Sequence, residues 1–175
     1  MVDCSSYIGP YGMGWVVEHK GLDKAADYPL ANHSDPTLKG CRSQCDTVAA
    51  SKSFATIDGA TCLTQRDAHG NADEDQMLAW LQHGPLSISV AAGALGPYKG
   101  GIINGSACNN SRVDHAVLVV GAGIDANSGM RYWKLKNSWG PTFGEGGYFR
   151  LQHGVHCLSM RGACQAFIGK PPSGA

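Results

Sequence analysis

His115 and Asn137 are the residues of this sequence whose types and placement are best suited to catalysis. His115 opens the apolar run "HAVLVVGAG", and Asn137 follows the next run, in "KLKNSWG". An imidazole is a general base near neutral pH, and an amide oxygen can hold its second ring nitrogen. Trp139 can cover that hydrogen bond and exclude water, which strengthens it. The pattern predicts nucleophilic catalysis with a third residue as nucleophile. On spacing alone, the alternative is a buried strand-end histidine and a turn asparagine.

Two strands joined by a hairpin would bring His115 and Asn137 to one end of a sheet. The runs "HAVLVVGAG" and "RYWKLKNS" are predicted strands, and "DANSG" between them is a turn signal. The first run is continuously apolar, which predicts a buried strand. The run "LSISVAA" alternates, and "GYFRLQ" is the last predicted strand.

Two helices are predicted upstream of these strands. The segment "DEDQMLAWLQHGP" begins with acidic residues and ends at Gly-Pro, with apolar residues on one face between them. Residues 11–20, "YGMGWVVEHK", form a shorter predicted helix that buries Met13, Val16 and Val17 and stops at Gly21. The predicted fold class is therefore α+β, with an antiparallel second half.

The net charge and the cysteine content indicate which partners and which cellular compartment to expect. The formal net charge is 0, which gives no reason to expect nucleic acid or an anionic membrane as partner, and no apolar run is long enough for a membrane span. Seven cysteines are many for a reduced compartment. Three N-x-S sequons, at Asn32, Asn104 and Asn109, accompany them. Together they predict a glycoprotein of the secretory pathway, in a lysosome- or vacuole-like compartment or outside the cell.

The motifs occur in an order that resembles the papain-like cysteine proteases of the cathepsin type. The matching stretches are "MVDC", "GLDKAADYPL", "GPLSISVAAG", "YKGGII", "VDHAVLVVGAG", "YWKLKNSWG" and "GEGGYFRL". The resemblance implies an α+β, papain-like fold consisting of the antiparallel β-rich right lobe plus one helix of the left lobe. Residues 1–168 would be a partial peptidase domain, with 1–30 from the helical lobe and 31–168 from the β-rich lobe. Residues 169–175 would be a tail.

The resemblance also assigns roles at the cleft. It makes His115 the general base and imidazolium partner, Asn137 the residue that orients it, and Trp139 the shield. Asp114 would lie at the cleft wall. Phe143 stands where the family motif usually has tryptophan, a change expected to have little effect. The substrate pocket would be lined, together with Asp114, by Ser89, Val113 and Ala116.

Disulfide pairing is implied in part. Cys4 would pair with Cys41 or Cys45, and Cys108 with Cys157. The remaining cysteines have no implied partner. A zinc site built from His153, His156 and nearby cysteines is the weaker alternative because the spacing is irregular. No cofactor or metal is therefore expected, and the other histidines are predicted to be surface residues.

The largest departure from the family is the absence of a nucleophile. The family's cysteine lies in a C-G-[SA]-C-[WY] setting roughly 130–150 residues before the histidine, which places it upstream of Met1. We therefore expect this chain to be inactive alone. The sequence leaves open whether it takes part in catalysis as one portion of an enzyme. One reading is the C-terminal portion of a cysteine endopeptidase, completed by a companion or upstream segment and acting on a polypeptide. The other is a non-catalytic, pseudoenzyme subunit of a larger assembly.

Overall fold

The computed structural model describes residues 12–22, 24, 55–64, 66, 70–108 and 112–172. Within these ranges lie two α-helices, α1 (Met13–Glu18) and α2 (Glu74–Leu81). Seven β-strands follow the chain in the order β1 (Gly59–Cys62), β2 (Leu86–Val90), β3 (Ile102–Ile103), β4 (His115–Ile124), β5 (Arg131–Lys136), β6 (Tyr148–Gln152) and β7 (Arg161–Phe167). Short 3₁₀ helices occur at Ala92–Ala94 and Cys157–Ser159. The predicted α+β class is confirmed.

Helix α2 forms where its sequence predicts it. Asp73 is its N-cap: its Oδ1 accepts hydrogen bonds from the backbone N–H groups of Asp75 and Gln76, each at 3.0 Å. Met77 and Trp80 are fully buried. The chain turns at Gly84, between α2 and the next strand, and the φ of 151° there is accessible to glycine.

Helix α1 is shorter than predicted and buries less. It covers Met13–Glu18, and its one fully buried residue is Val16, whereas Val17 is 36% exposed. The helix ends in two backbone hydrogen bonds, from Gly21 N to Val16 O and from Lys20 N to Val17 O. This is a Schellman termination, and Lys20 takes the left-handed conformation at φ 58°.

The strands form one sheet in the order β1-β7-β2-β4-β5-β6-β3. All pairs are antiparallel except β3 with β6. The β4–β5 hairpin turns as predicted, because Asp125 Oδ1 accepts hydrogen bonds from the backbone N–H groups of Asn127 and Ser128. Strand β4, however, is not buried throughout. Val117 and Val119 are its buried residues, and Ile124, the last residue of the strand, is 69% exposed.

Three strands were not predicted, and β7 is the important one. Its sequence, RGACQAF, lacks alternation because Gly162, Ala163, Cys164 and Gln165 are all buried. Gln165 belongs to the interior, since its Nε2 donates to the carbonyls of Trp80 and Gly84 at 3.2 and 2.7 Å. A run of small residues buried on both faces gives no period-2 signal. In the structure this strand joins β1 to β2.

Two disulfides connect parts of the described chain. Cys108 is bonded to Cys157, the pairing that the resemblance implies. Cys62 is bonded to Cys164, a directly opposed pair of β1 and β7 for which the sequence offered no partner. Cys4, Cys41 and Cys45 lie outside the described residues. Neither described helix has the length and apolar character needed to cross a bilayer.

Candidate active site

The sheet brings His115 and Asn137 to the same end. His115 is the first residue of β4 and pairs with Val90 of β2. Asn137 follows the last residue of β5, and its backbone N–H donates to the carbonyl of Gly147 at 2.9 Å. The side chains meet with 2.9 Å between His115 Nε2 and Asn137 Oδ1. The hairpin predicted from the sequence therefore produces the contact that the chemistry requires.

The amide of Asn137 has a defined orientation. Its Oδ1 also accepts a hydrogen bond from the backbone N–H of Ser138, at 2.8 Å. Only the oxygen of the amide can accept, so the atom that faces His115 is an acceptor. The Nε2 of a neutral His115 therefore carries the hydrogen, and the lone pair lies on Nδ1. Asn137 is 7% exposed, which keeps water from competing for this bond.

The second ring nitrogen of His115 is available for chemistry. Among the described residues, no hydrogen bond is formed to His115 Nδ1. An imidazole with one nitrogen held by an amide and a free lone pair on the other is a general base. A thiol or hydroxyl placed against Nδ1 would complete a nucleophile–base pair.

Trp139 lies against the imidazole. The centroids of the His115 and Trp139 rings are 5.0 Å apart, with 35° between the planes. The indole is nevertheless 43% exposed, so it covers His115 from one side and faces solvent on the other. Its role as a shield of the Asn137 hydrogen bond stays a prediction.

The predicted pocket residues surround the start of β4. Ser89 pairs with Ala116 across the β2–β4 ladder, so the two side chains share one face. Val113 is half-buried. Asp114 is exposed, its N–H donates to Val90 O at 3.1 Å, and its Oδ1 accepts from Ala92 N at 2.9 Å. Asp114 thus holds the 3₁₀ helix after β2 beside His115, while the substrate-binding role of these four residues stays a prediction.

The model of the family described as "Papain family cysteine protease" matches residues 1–167. The chain belongs to the papain family of cysteine proteases. It is 30% identical over 154 residues to Cysteine protease 1 of Oryza sativa subsp. japonica, covering 87% of this chain and 28% of that protein. It is 46% identical over 88 residues to Viral cathepsin of Mamestra configurata nucleopolyhedrovirus, covering 50% of this chain and 25% of that protein.

Solved structures share the fold. Bromelain protease from Ananas comosus, in complex with the E64 inhibitor, has a TM-score of 0.74 at 26% identity, covering 96% of this chain and 75% of that one. Procathepsin L 3 of the Tenebrio molitor larval midgut has a TM-score of 0.68 at 29% identity, covering 91% of this chain and 48% of that one. The papain-like fold, a β-rich lobe with few helices, is therefore confirmed. The chain spans 21% to 44% of the length of several curated papain-family relatives.

Catalysis by a cysteine protease requires a thiolate, and the described cysteines do not supply it. Cys62, Cys108, Cys157 and Cys164 are all in disulfides. A disulfide sulfur is not a nucleophile of this kind, because the thiolate is the reactive form. The same bonds remove Cys157 and Cys164 as ligands of the alternative zinc site.

The sequence missed a buried polar cluster around Glu74 of α2. Glu74 lies in the first turn of α2, as the acidic start of the segment predicts, and it is also buried, with 6% of its surface exposed. Its carboxylate accepts hydrogen bonds from Trp133 Nε1 at 2.7 Å, Gly154 N at 2.7 Å and His156 N at 3.0 Å. This carboxylate therefore fastens α2 to β5 and to the segment after β6.

His153 belongs to this cluster, so its prediction as a surface residue was wrong. Its side chain is 6% exposed and its ring stacks on Trp133 with centroids 4.8 Å apart. Burial lowers the pKa of His153 below its usual range, and the carboxylate of Glu74 opposes this in part. Phe149 and Leu151 of β6 are buried, and extending their alternation by one step would have placed His153 inside.

Proposed function

We propose that this chain is the C-terminal portion of a papain-family cysteine endopeptidase and supplies the histidine–asparagine half of its active site. The observation that carries the proposal is the 2.9 Å bond between His115 Nε2 and Asn137 Oδ1. Because Ser138 N–H orients the amide, the bond leaves the lone pair of a neutral His115 on Nδ1. That nitrogen is the position from which a thiol proton would be removed.

The chemistry that follows is acyl transfer to a cysteine. A companion or upstream segment would place a thiol against His115 Nδ1, which takes its proton to give a thiolate–imidazolium pair. The thiolate attacks the peptide carbonyl, and the imidazolium returns its proton to the leaving amine. His115 then takes a proton from water, whose oxygen attacks the thioester, and gives that proton to the departing thiolate. Asn137 holds the ring through both steps.

The polypeptide substrate would contact the residues around the start of β4. Ser89 and Ala116 are small, and with Val113 they would leave room for a substrate side chain. Asp114 is exposed beside His115 and would interact with a bound peptide. Replacing Ser89 by a larger apolar residue should therefore change the substrate preference.

The compartment we propose is oxidising: the secretory pathway, a lysosome- or vacuole-like organelle, or the extracellular space. Two disulfides in the described chain support it. Of the sequons, Asn104 lies in a turn after β3, where Asn104 Oδ1 accepts a hydrogen bond from Ser106 Oγ at 2.6 Å. Asn32 and Asn109 lie outside the described residues.

The test is thiol-dependent hydrolysis of a fluorogenic peptide by natively purified protein, together with mass spectrometry of everything that co-purifies. We expect a polypeptide with a C-G-S-C-W-like segment, and activity that His115→Ala abolishes. His83→Ala is the matched control, because His83 is exposed at the end of α2. Wild-type activity in the His115→Ala variant would overturn the proposal.

A second function is a non-catalytic subunit that uses the same region as an interface. The 43% exposure of Trp139, a large aromatic side chain, favours a covering partner. This function predicts stable association with chains that carry no such cysteine segment, and no reactive thiol. A protein that stays monomeric and without partners would count against it.

A further inference from the structure

A row of aromatic rings runs from the core to His115. Phe149 is fully buried in β6. The ring of Phe143 meets it edge-to-face, with centroids 6.1 Å apart and 85° between the planes. Trp139 meets Phe143 in the same way, at 5.1 Å and 85°. The next ring after Trp139 is the imidazole, at 5.0 Å.

Trp139 depends on these neighbours for its position. Among the described residues, the rings in contact with it are His115 and Phe143. The indole is 43% exposed, so the core does not enclose it on all sides and its ring contacts help to fix where it lies. Edge-to-face pairs are attractive because the positive edge of one ring meets the negative face of the other.

Phe143 itself has a firm position. Its carbonyl accepts a hydrogen bond from Gly147 N at 2.7 Å, and its N–H donates to Gly140 O at 3.3 Å. The carbonyl of Gly147 in turn accepts the N–H of Asn137, which ties the Phe143 loop to the end of β5. Gly144 allows this tight path, because its φ is 48° and a Cβ there would meet the Tyr98 ring at 2.6 Å.

We propose that Phe143 is a positioning residue that seats Trp139 against His115 and so protects the His115–Asn137 hydrogen bond from water. The role rests on the function proposed above, since that bond matters only if His115 is a base. An aromatic ring of either kind can fill this role, which agrees with the expectation that phenylalanine in place of tryptophan has little effect. The side chain acts through Trp139 and has no contact with the reacting atoms.

The experiment is NMR on the full chain with ¹⁵N-labelled histidine and tryptophan. It measures the exchange of the His115 Nε2 proton with water and the NOEs from the Trp139 ring to the rings of His115 and Phe143. Phe143→Leu removes the ring but keeps an apolar side chain, and Phe143→Trp keeps an aromatic ring. The control is Phe167→Leu, which removes a ring that lies against Gly59 on β1.

We expect Phe143→Leu to speed exchange of the Nε2 proton about two- to tenfold, the range that one edge-to-face pair supports. Phe143→Trp should restore slow exchange, and Phe167→Leu should leave it unchanged. Equal exchange in wild type and Phe143→Leu would overturn the proposal. So would the absence of NOEs between Trp139 and Phe143 in the wild type, a result that needs no variant to fold. Neither readout requires peptide hydrolysis, so the proposed function can fail separately.

Discussion

Replacing Glu74 by glutamine changes one carboxylate oxygen into an NH₂ group at a buried site where both oxygens accept hydrogen bonds. Its Oε2 accepts from Trp133 Nε1 and Gly154 N, both at 2.7 Å, and its Oε1 accepts from His156 N at 3.0 Å. A glutamine has a single acceptor oxygen. If that oxygen takes the place of Oε2, the new NH₂ group faces the N–H of His156, and two donors point at each other.

The expected loss follows from the bonds that cannot be kept. A hydrogen bond to a charged acceptor contributes about 1.5–3 kcal/mol, and a buried donor without an acceptor costs about 1–3 kcal/mol. We therefore expect Glu74→Gln to lower the free energy of unfolding by about 2–4 kcal/mol. For a chain of 175 residues this is a fall in Tm of about 5–15 °C.

Urea and thermal unfolding at neutral pH, with the disulfides intact, measure this loss. The matched control is Asp75→Asn, which makes the same change in the same first turn of α2 at an exposed residue. The control also accounts for the helix dipole, worth about 0.3–1 kcal/mol at such a position. If the two variants differ by less than about 0.5 kcal/mol, Glu74 does not hold the three donors and the reasoning is refuted.

Four further predictions concern the site, its support and its compartment. Asn137→Ala should reduce the hydrolytic rate constant of the completed enzyme about a hundredfold, because the imidazole loses its orientation. Burial lowers the pKa of His153 in the folded state, so the unfolded chain binds a proton there first as pH falls. The free energy of unfolding should therefore decrease as pH falls below about 6.5. His153→Gln should flatten that part of the pH–stability curve. The Cys62→Ala/Cys164→Ala variant should lose about 4.7 kcal/mol in denaturant unfolding, since the disulfide closes a loop of 102 residues. Protein secreted from a eukaryotic host should lose mass on N-glycosidase treatment, and Asn104→Gln should remove part of that change.

Each has a result that would contradict it. Unchanged turnover in Asn137→Ala would mean that another group orients the base. A pH–stability curve with the same slope in His153→Gln would show that His153 does not titrate in this window. Equal unfolding of the cysteine variant and the wild type would mean that β1 and β7 are held without the bond. An identical glycan mass in Asn104→Gln would exclude that sequon.

The site could be predicted from the sequence because its parts are local. His115 opens β4, Asn137 directly follows β5, and a turn at residues 125–129 joins the two strands, so neighbouring segments bring the pair together. The capped helix α2 is likewise a local feature, since Asp73 and the first-turn acids act within a few residues. Ordered motifs along the chain predicted the papain-like fold, which the comparisons confirmed.

The contacts that only the tertiary structure decided join segments that are far apart in the sequence. Strand β7 enters the sheet between β1 and β2, and with it Cys164 meets Cys62. Glu74 and His153 become buried neighbours only because both side chains meet Trp133 of β5 in the folded chain. Local periodicity does not encode such pairings, because they depend on which faces meet across a long stretch of chain.

The orientation of the active-site pair also needed the folded chain. Motifs can indicate that Asn137 lies near His115, but the backbone N–H of Ser138 determines which amide atom faces the imidazole. The packing of Phe143 between Phe149 and Trp139 is a contact of the same kind. The sequence by itself determined which residues could do the chemistry. The fold decided how each is held, because hydrogen-bond direction and ring packing are properties of the assembled neighbours.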